Sequence, residues 1–303
     1  MEEAGVLPDR LRGPLQHLSA SRDLVKALDV TSVRDSRFTP PPDLPERYQL
    51  VKRLGEGGTA VVYLAQDKIL CRDVVLKFLS NPSLPPDLAE EYFRREAVIV
   101  AGLSHPNIVQ VYDVGSAGGR QYMVIEYIDG LTLEEELDAA PDRILPIERV
   151  ATVATDLGEA LAYAHERKVI HRDVKPSNVM ALRDGHVKLM DFGMAKALEI
   201  HTDRSIYICG TPDYMSPEQE SGYDLTSATD IYSFALVVLE SLTGRLPLGG
   251  SPQATRHARL HVLDNSGLHD EVRRILARCL SLDTESRPPS ARLVAQALRQ
   301  ACR

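Results

Sequence analysis

The hydrophobic periodicity of the chain changes near Gly130, and this change limits the folds that its 303 residues can adopt. Before Gly130, the following segments alternate or run apolar over strand length, with glycine and charged breaks between them: YQLVKRLG, AVVYLAQD, DVVLKFLS, IVQVYDVG and QYMVIEYI. A helix is predicted over residues 86–103, where Asp87 could cap the first turn. Beyond Gly130, apolar residues mostly recur at spacings of three and four, which is typical of core-facing helices. We therefore predict an α+β chain with a small strand-rich lobe and a larger, mainly helical lobe.

The first 47 residues differ from the rest of the chain. The stretch TPPPDLPER, residues 39–47, is broken by prolines and is typical of a linker. Two interpretations of residues 1–47 are open: a disordered tail, or a segment that docks on the folded domain or carries regulatory Ser or Thr residues. We expect the folded domain to span 48–303, with the small lobe over 48–130 and the larger lobe over 131–303.

Composition and charge exclude several classes of protein. The chain is 44% hydrophobic and 26% charged, which is ordinary for a globular protein, and its formal net charge of −8 argues against binding to nucleic acid or to an anionic membrane. No apolar run approaches the roughly 20 residues that span a bilayer, and no secretory leader is evident. The scattered cysteines, at positions 71, 209, 279 and 302, are typical of free thiols. We expect a cytoplasmic protein without a membrane segment.

A glycine-rich stretch, LGEGGTAVVY over residues 54–63, lies between the first two predicted strands. Glycines let a backbone approach a ligand closely and present its N–H groups to phosphate oxygens, although glycines between strands also form ordinary hairpin turns. A Rossmann fingerprint or a Walker A loop would continue into a helix, and neither GKS nor GKT occurs here. The stretch is therefore either a phosphate-binding loop of another kind or a simple turn.

Lys77 lies within the apolar strand DVVLKF. Its ammonium could reach water at the strand edge, or it could pair with a fixed anion. Glu96, on the predicted helix, shares a helical face with apolar residues and so would point toward the sheet, whereas Glu90 and Glu91 lie nearer the helix start. We predict that Lys77 pairs with Glu96.

The stretch HRDVKPSNVM, residues 171–180, places acidic, basic and amide side chains together. Asp173 could orient a hydroxyl or accept its proton, Lys175 could steady a phosphoryl group, and Asn178 offers an oxygen that suits Mg²⁺. A predicted hairpin follows and ends at Asp191 of the triplet DFG, so the fold should return Asp191 close to Asn178. A charged surface loop with internal salt bridges is the alternative, but the second acidic site favours a divalent-metal centre.

These motifs together resemble the signature of the eukaryotic-type (Hanks-type) protein kinases, in their bacterial Ser/Thr form. The resemblance covers residues 48–300 and follows the family's order: the glycine loop, VVLK, the helix glutamate, HRDVKPSN, DFG, and SPE at residues 216–218. It implies a bilobal fold whose small lobe has a five-stranded antiparallel sheet and one helix. It also implies an ATP-dependent Ser/Thr protein kinase that transfers the γ-phosphate to protein hydroxyls and phosphorylates its own activation loop, residues 191–218.

The resemblance also implies site roles. Asp173 would be the catalytic base, and Lys175 would contact the γ-phosphate. Asn178 and Asp191 would bind Mg²⁺, with Mn²⁺ as an alternative ion. The nucleotide site would consist of Leu54, Gly55, Glu56, Gly57, Gly58, Val62, Val75, Lys77, Glu96, Ile125, Glu126 and Ile128.

Within that site, the resemblance implies that Lys77 holds the α- and β-phosphates, that Ile125 is the gatekeeper, and that backbone groups of Glu126 and Ile128 bind adenine. Elsewhere it implies further contacts: a buried ion pair between Glu218 and Arg287, a contact of Asp230 with the catalytic-loop backbone, and a phosphate on Thr202, Ser205 or Thr211 that would pair with Arg172.

The sequence departs from the family pattern in places. Ala60 replaces the third glycine of the loop, and the stretch between Leu248 and Leu268 is shorter than its counterpart in bacterial members of the family. That stretch contains Arg256, His257, Arg259 and His261, which form either a basic docking site or a solvated helix face.

Three functional hypotheses follow: an active kinase acting on proteins, a nucleotide-binding scaffold without activity, and a kinase of small molecules on the same fold. The resemblance implies that the GTP…SPE segment builds a peptide-binding floor, and its presence favours the first hypothesis. Dimerisation is an alternative that no residue supports.

Overall fold

The computed structural model describes residues 43–56, 60–79, 97–98, 100–192, 212–249 and 251–302. Three predicted nucleotide-site residues, Gly57, Gly58 and Glu96, lie outside these ranges. The candidate phosphorylation sites Thr202, Ser205 and Thr211 also lie outside them. Most of the helix predicted over 86–103 does so as well, although residues 97–98 are helical.

The small lobe is a five-stranded sheet in the order β1-β2-β3-β5-β4. Its strands are β1 Tyr48–Glu56, β2 Ala60–Asp67, β3 Arg72–Leu79, β4 Val111–Ala117 and β5 Arg120–Glu126. Every neighbouring pair is antiparallel, which confirms the predicted sheet. Because side chains alternate between the faces of a strand, one face buries Tyr63, Phe78 and Tyr122, whose rings pack edge-on or tilted with centroids 5.4–6.0 Å apart.

Residues 43–47 pack against this sheet before β1 begins. The Arg47 guanidinium donates to both carboxylate oxygens of Asp67, at 3.0 Å and 2.8 Å. Leu44 packs against the small-lobe core, and Asp43 accepts a hydrogen bond from the N–H of Gly118. The last part of the N-terminal extension is therefore fixed to the sheet by an ion pair and an apolar contact.

The larger lobe is mainly helical, as predicted. Within the described residues its α-helices are α1 Leu133–Ala139, α2 Ile147–Glu166, α3 Pro217–Glu220, α4 Ser227–Thr243, α5 Pro252–Asp264, α6 Asp270–Cys279 and α7 Ala291–Ala301. Helix α4 is buried from Thr229 to Leu242 because it is apolar on nearly every side. Gly158 of α2 lets α7 approach closely: a Cβ there would lie 2.4 Å from that of Ala295. Bundled around α4, these helices form the larger hydrophobic core.

A second, three-stranded sheet lies in the larger lobe beside the catalytic stretch. Its strands are β6 Leu131–Thr132, β7 Val179–Ala181 and β8 Val187–Leu189, in that order. The β7–β8 hairpin has the predicted tight turn, in which Gly185 adopts φ +89°, a conformation that favours glycine. None of the helices in the described ranges combines the length and the apolar composition needed to cross a bilayer.

Candidate active site

The start of the HRDVKPSNVM stretch, residues 171–180, is held by hydrogen bonds to a buried carboxylate. Asp230 of α4 accepts the backbone N–H of His171 at 2.8 Å and that of Arg172 at 2.7 Å. Its Oδ2 also lies 2.7 Å from Nε2 of His165. Burial alone would raise the pKa of Asp230, but these partners hold it below its ordinary value. The structure thus confirms the predicted contact of Asp230 with the loop backbone.

His171 joins this loop to the end of β8. Its Nε2 lies 2.8 Å from the carbonyl oxygen of Met190, and its Nδ1 lies 3.2 Å from the backbone nitrogen of Asp173. A neutral ring with the proton on Nε2 satisfies both contacts. The ring also packs edge-on against Phe192, with centroids 4.6 Å apart. No role was predicted for His171 from the sequence, although its position two residues before Asp173 was the available signal.

Asp173, Lys175 and Asn178 form one hydrogen-bonded group. The Lys175 ammonium lies 2.9 Å from Oδ2 of Asp173. The side-chain nitrogen of Asn178 donates to the backbone oxygen of Asp173 at 2.7 Å and to its Oδ2 at 2.9 Å. Because the amide nitrogen is used in this way, the amide oxygen of Asn178 is the atom that could bind a cation.

Lys77 and Asp191 connect the two lobes at the cleft. The Lys77 ammonium lies 2.7 Å from Oδ1 of Asp191. Burial would raise the pKa of Asp191, but the charge and the hydrogen bond of Lys77, with help from the charge of Lys175, hold it below its ordinary value. The predicted pairing of Lys77 with Glu96 lies outside the described residues.

Asn178 and Asp191 lie at the same end of the β7–β8 hairpin. The N–H of Met190 donates to the backbone oxygen of Asn178 at 2.9 Å, and Val179 pairs with Leu189 in register. Their amide and carboxylate oxygens are hard donors of the kind that Mg²⁺ and Mn²⁺ accept. A magnesium ion typically takes one or two such side chains together with substrate phosphates, so this donor set fits a nucleotide-bound ion.

Five of the predicted nucleotide residues share one face of the small-lobe sheet: Gly55, Val62, Val75, Lys77 and Ile125. Paired residues of neighbouring strands lie on the same face, and Val62 pairs with both Gly55 and Lys77. Val75, two residues from Lys77, pairs with Ile125. This face lies opposite the aromatic core. Leu54 and Glu56 belong to the same end of β1, and Leu54 is exposed.

Glu126, at the end of β5, is held by contacts that the sequence analysis did not anticipate. Its carboxylate accepts two hydrogen bonds from the Lys188 ammonium of β8, at 2.6 Å and 2.8 Å, and one from the N–H of Gln110 at 3.2 Å. The backbone N–H of Glu126 donates to the oxygen of Gln110. A contact of its backbone with adenine would therefore use the carbonyl oxygen. Ile128 lies two residues further along, in the connection between the lobes.

Comparison with known proteins agrees with this geometry. The model of the family described as "Protein kinase domain" matches residues 48–299. The chain belongs to the protein kinase family. This kinase domain is 38% identical over 272 residues to serine/threonine-protein kinase PknB of Mycobacterium leprae, covering 84% of this chain and 43% of PknB. It is 39% identical over 205 residues to serine/threonine-protein kinase PrkC of Bacillus subtilis, covering 67% of this chain and 31% of PrkC.

Among solved structures, the kinase domain is similar to the crystal structure of the Mycobacterium tuberculosis PknI kinase domain. The TM-score is 0.65 at 28% sequence identity, and the match covers 84% of this chain and 96% of that one. The bilobal kinase fold is thus confirmed. The chain spans less than half the length of the PknB and PrkC relatives it matches.

The end of the activation loop of this kinase is held by a buried ion pair. Arg287 donates two hydrogen bonds to Glu218, at 2.7 Å and 2.8 Å, as the sequence analysis predicted. Burial would raise the pKa of Glu218, but Arg287 holds it below its ordinary value. The neighbouring Gln219 donates from Nε2 to the backbone oxygen of Arg172 at 2.7 Å. This segment and the catalytic loop are therefore directly linked.

Proposed function

We propose that this kinase domain transfers the γ-phosphate of ATP to Ser or Thr hydroxyls of proteins. The observation that carries the proposal is the meeting of Lys77 and Asp191 at 2.7 Å, at the end of the hairpin that also carries Asn178. Phosphoryl transfer needs little covalent chemistry from a protein and depends on alignment and charge compensation. The relatives named as serine/threonine-protein kinases support the choice of substrate class.

In this proposal the reaction is an in-line displacement. The substrate hydroxyl oxygen bonds to the γ-phosphorus while the bond from that phosphorus to the bridging oxygen breaks, and ADP leaves. Asp173 receives the hydroxyl proton. Lys175 compensates charge on the transferring group. The hydrogen bonds of Asp173 to Lys175 and Asn178 hold its carboxylate in one orientation for this task.

Binding of ATP would use the site face of the small lobe. Lys77 would hold the α- and β-phosphates and pair with Glu96, while Ile125 would be the gatekeeper of the adenine pocket. The remaining nucleotide contacts would come from Leu54, Gly55, Glu56, Gly57, Gly58, Val62, Val75, Glu126 and Ile128. Mg²⁺ or Mn²⁺, held by Asn178 and Asp191, would shield the charge of the terminal phosphates.

We further propose that the kinase phosphorylates its own activation loop. Arg172 adopts φ +71°, an unusual conformation for a residue with a side chain, and its Nε is buried without a hydrogen-bond partner among the described residues. A phosphate on the loop would supply an acceptor for this guanidinium. Thr202 and Ser205 are the candidate hydroxyls, ahead of Thr211.

The organisation of the chain completes the proposal. The small lobe would span 48–130 and the larger lobe 131–303, with residues 1–47 as an extension of which at least Asp43 to Arg47 is docked. We propose a cytoplasmic location and no nucleic-acid partner, in keeping with the net charge of −8.

The test is a phosphotransfer assay with labelled ATP, Mg²⁺ and a generic basic protein. Asp173→Asn should lower the rate by roughly 10²- to 10⁴-fold, the usual contribution of a general base, and should leave nucleotide binding intact. Asp184→Asn makes the same change in the exposed β7–β8 turn and should retain the rate. Absence of transfer by the wild-type chain in any condition would favour an inactive scaffold, and phosphate found on a sugar or antibiotic but never on protein would favour a small-molecule kinase.

A further inference from the structure

Arg259 of α5 is buried, although the sequence analysis placed it at a basic docking site or on a solvated helix face. Its side chain is 1% exposed, whereas His257 and His261 of the same helix are exposed. The prediction was wrong for Arg259 because α5 turns this side chain toward the helical core, where hydrogen bonds replace water. A buried guanidinium is costly unless its donors are satisfied.

The hydrogen bonds of Arg259 go to neutral acceptors on three separate segments. Nη1 donates to the Tyr232 hydroxyl at 2.7 Å, and Nη2 donates to the backbone oxygen of Asp213 at 2.5 Å. Nε donates to the backbone oxygen of Pro247 at 3.3 Å. Because a guanidinium is planar and rigid, these contacts fix the three segments relative to one another.

Asp213 lies in the short 3₁₀ turn Pro212–Tyr214, which is separated by two residues from the helix that carries Glu218. The same turn is held by α4, where the Ser233 hydroxyl donates to the backbone oxygen of Tyr214 at 2.8 Å and Glu240 accepts from the Tyr214 hydroxyl. Arg259 supplies the corresponding contact from α5. The turn is thus clamped from both helices by side-chain hydrogen bonds.

Tyr232 extends this clamp to the buried ion pair. Two guanidinium groups lie near its ring, with the Arg259 carbon 5.7 Å and the Arg287 carbon 4.9 Å from the ring centroid. Arg287 in turn binds Glu218. Arg259 therefore belongs to a continuous set of contacts that supports the segment from the 3₁₀ turn to α3.

We propose that Arg259 is a positioning residue for the protein substrate, which it does not touch itself. Its hydrogen bond to Asp213 fixes the backbone of the Pro212–Tyr214 turn in a position where the turn can contact the substrate chain next to the reacting hydroxyl. This inference rests on the proposed function, and on the peptide-binding floor that the resemblance to kinases implies for the GTP…SPE segment. Lys77 and the small-lobe sheet face that would bind ATP belong to other parts of the chain, so loss of Arg259 should affect the two substrates differently.

The test measures KM and kcat for both substrates, using a Ser-containing peptide chosen from a randomised library by the wild-type kinase. Arg259→Met should raise KM for the peptide by about tenfold, as expected when a hydrogen bond from a charged group is lost, and leave KM for ATP unchanged. Arg259→Lys should give an intermediate KM because an ammonium retains the charge but not the fork. Arg256→Met is the matched control, since Arg256 of the same helix bonds to Leu280 instead.

Tyr232→Phe keeps the ring but removes the acceptor of Nη1, and it should raise KM for the peptide in the same direction by a smaller factor. If Arg259→Met fails to unfold cooperatively in a thermal scan, the peptide KM of Tyr232→Phe becomes the test of the inference. A peptide KM that is unchanged in both Arg259→Met and Tyr232→Phe would overturn the inference while leaving the proposed function standing. Equal losses in the peptide and ATP parameters, or an equal rise in Arg256→Met, would also overturn it. A wild-type chain that phosphorylates no peptide would remove the proposed function and the inference together.

Discussion

Lys77 and Asp191 are separated by 114 positions in the chain, yet the Lys77 ammonium lies 2.7 Å from a carboxylate oxygen of Asp191. Lys77 belongs to a strand of the small lobe, and Asp191 follows a strand of the larger lobe. Both side chains are largely shielded, at 12% and 25% exposure. The contact therefore joins the lobes by a partly desolvated ion pair, in which each charge stabilises the other more strongly than it would in water.

We expect Lys77→Met to lower the turnover number by roughly 10²- to 10³-fold, the usual effect of removing one preorganised electrostatic contact to the reacting group. The folded structure should persist, because methionine can occupy the apolar strand. The pKa of Asp191 should rise, since burial then acts without the opposing charge of Lys77. Single-turnover kinetics measure the rate of transfer, and a thermal scan tests whether the variant is folded. Lys52→Met, at an exposed position of β1, is the control, and near-normal turnover of Lys77→Met would show that Lys77 is not the phosphate contact.

The ion pair between Glu126 and Lys188 should contribute to the coupling between the lobes. Single and double variants, Glu126→Gln and Lys188→Met, should give a coupling free energy of about 1 kcal/mol in urea unfolding, at the upper end for pairs that are not fully buried. KM for ATP should rise by a few fold in Lys188→Met, because Glu126 adjoins the proposed adenine site. The exposed pair of Asp129 and Arg183 offers a control cycle with a coupling near zero. Equal coupling in the two cycles would contradict this expectation.

Glu218→Gln should destabilise the larger lobe by about 3 kcal/mol, because it leaves the buried Arg287 guanidinium without its counter-charge. The free energy of unfolding from denaturant titration is the quantity to compare. Glu159→Gln removes one partner of the half-exposed pair with Arg292 and should cost less than about 1 kcal/mol. If the two substitutions lower the free energy of unfolding equally, the buried pair stabilises the lobe no more than the half-exposed pair does.

Acid titration should show the attachment of residues 43–47 to the sheet. The hydrogen bond from Arg47, aided by the N–H groups of Ile69 and Leu70, lowers the pKa of Asp67 to about 2 against the effect of burial. This value lies below that of an unfolded aspartate, about 3.9, so the contribution of Asp67 is complete above about pH 4 and is lost as the pH falls toward 2.

The measurement is the free energy of unfolding at a series of acidic pH values. Arg47→Met should lower stability at pH 7 and make its decline between about pH 4 and pH 2 shallower, because the pKa of Asp67 then lies closer to its unfolded value. Asp67→Asn should remove the same part of the decline. Adding Arg47→Met to Asp67→Asn should change the slope no further. A parallel loss at every pH in Arg47→Met would mean that the pair makes no pH-dependent contribution.

The sequence alone determined the order and type of most elements. The period-two pattern before Gly130 predicted the five strands, and the three-and-four spacing beyond Gly130 predicted a mainly helical lobe. The spacing of apolar residues reflects which face of a helix or strand is buried, so it can be recognised without knowing which element packs against that face. The resemblance to kinases added the Glu218–Arg287 pair and the contact of Asp230 with the loop backbone, and both are present.

Only the tertiary structure decided which side chains meet across distant segments. Nothing in the helical period of α5 distinguishes Arg259 from Arg256, yet one is buried against Tyr232 and the other is partly exposed. The pairing of Lys188 with Glu126 and the bridging position of His171 likewise depend on how the hairpin and the loop fold back. A polar side chain has the same local signature whether it faces water or a buried acceptor, because its hydrogen-bonding partner is set by packing in three dimensions rather than by sequence spacing.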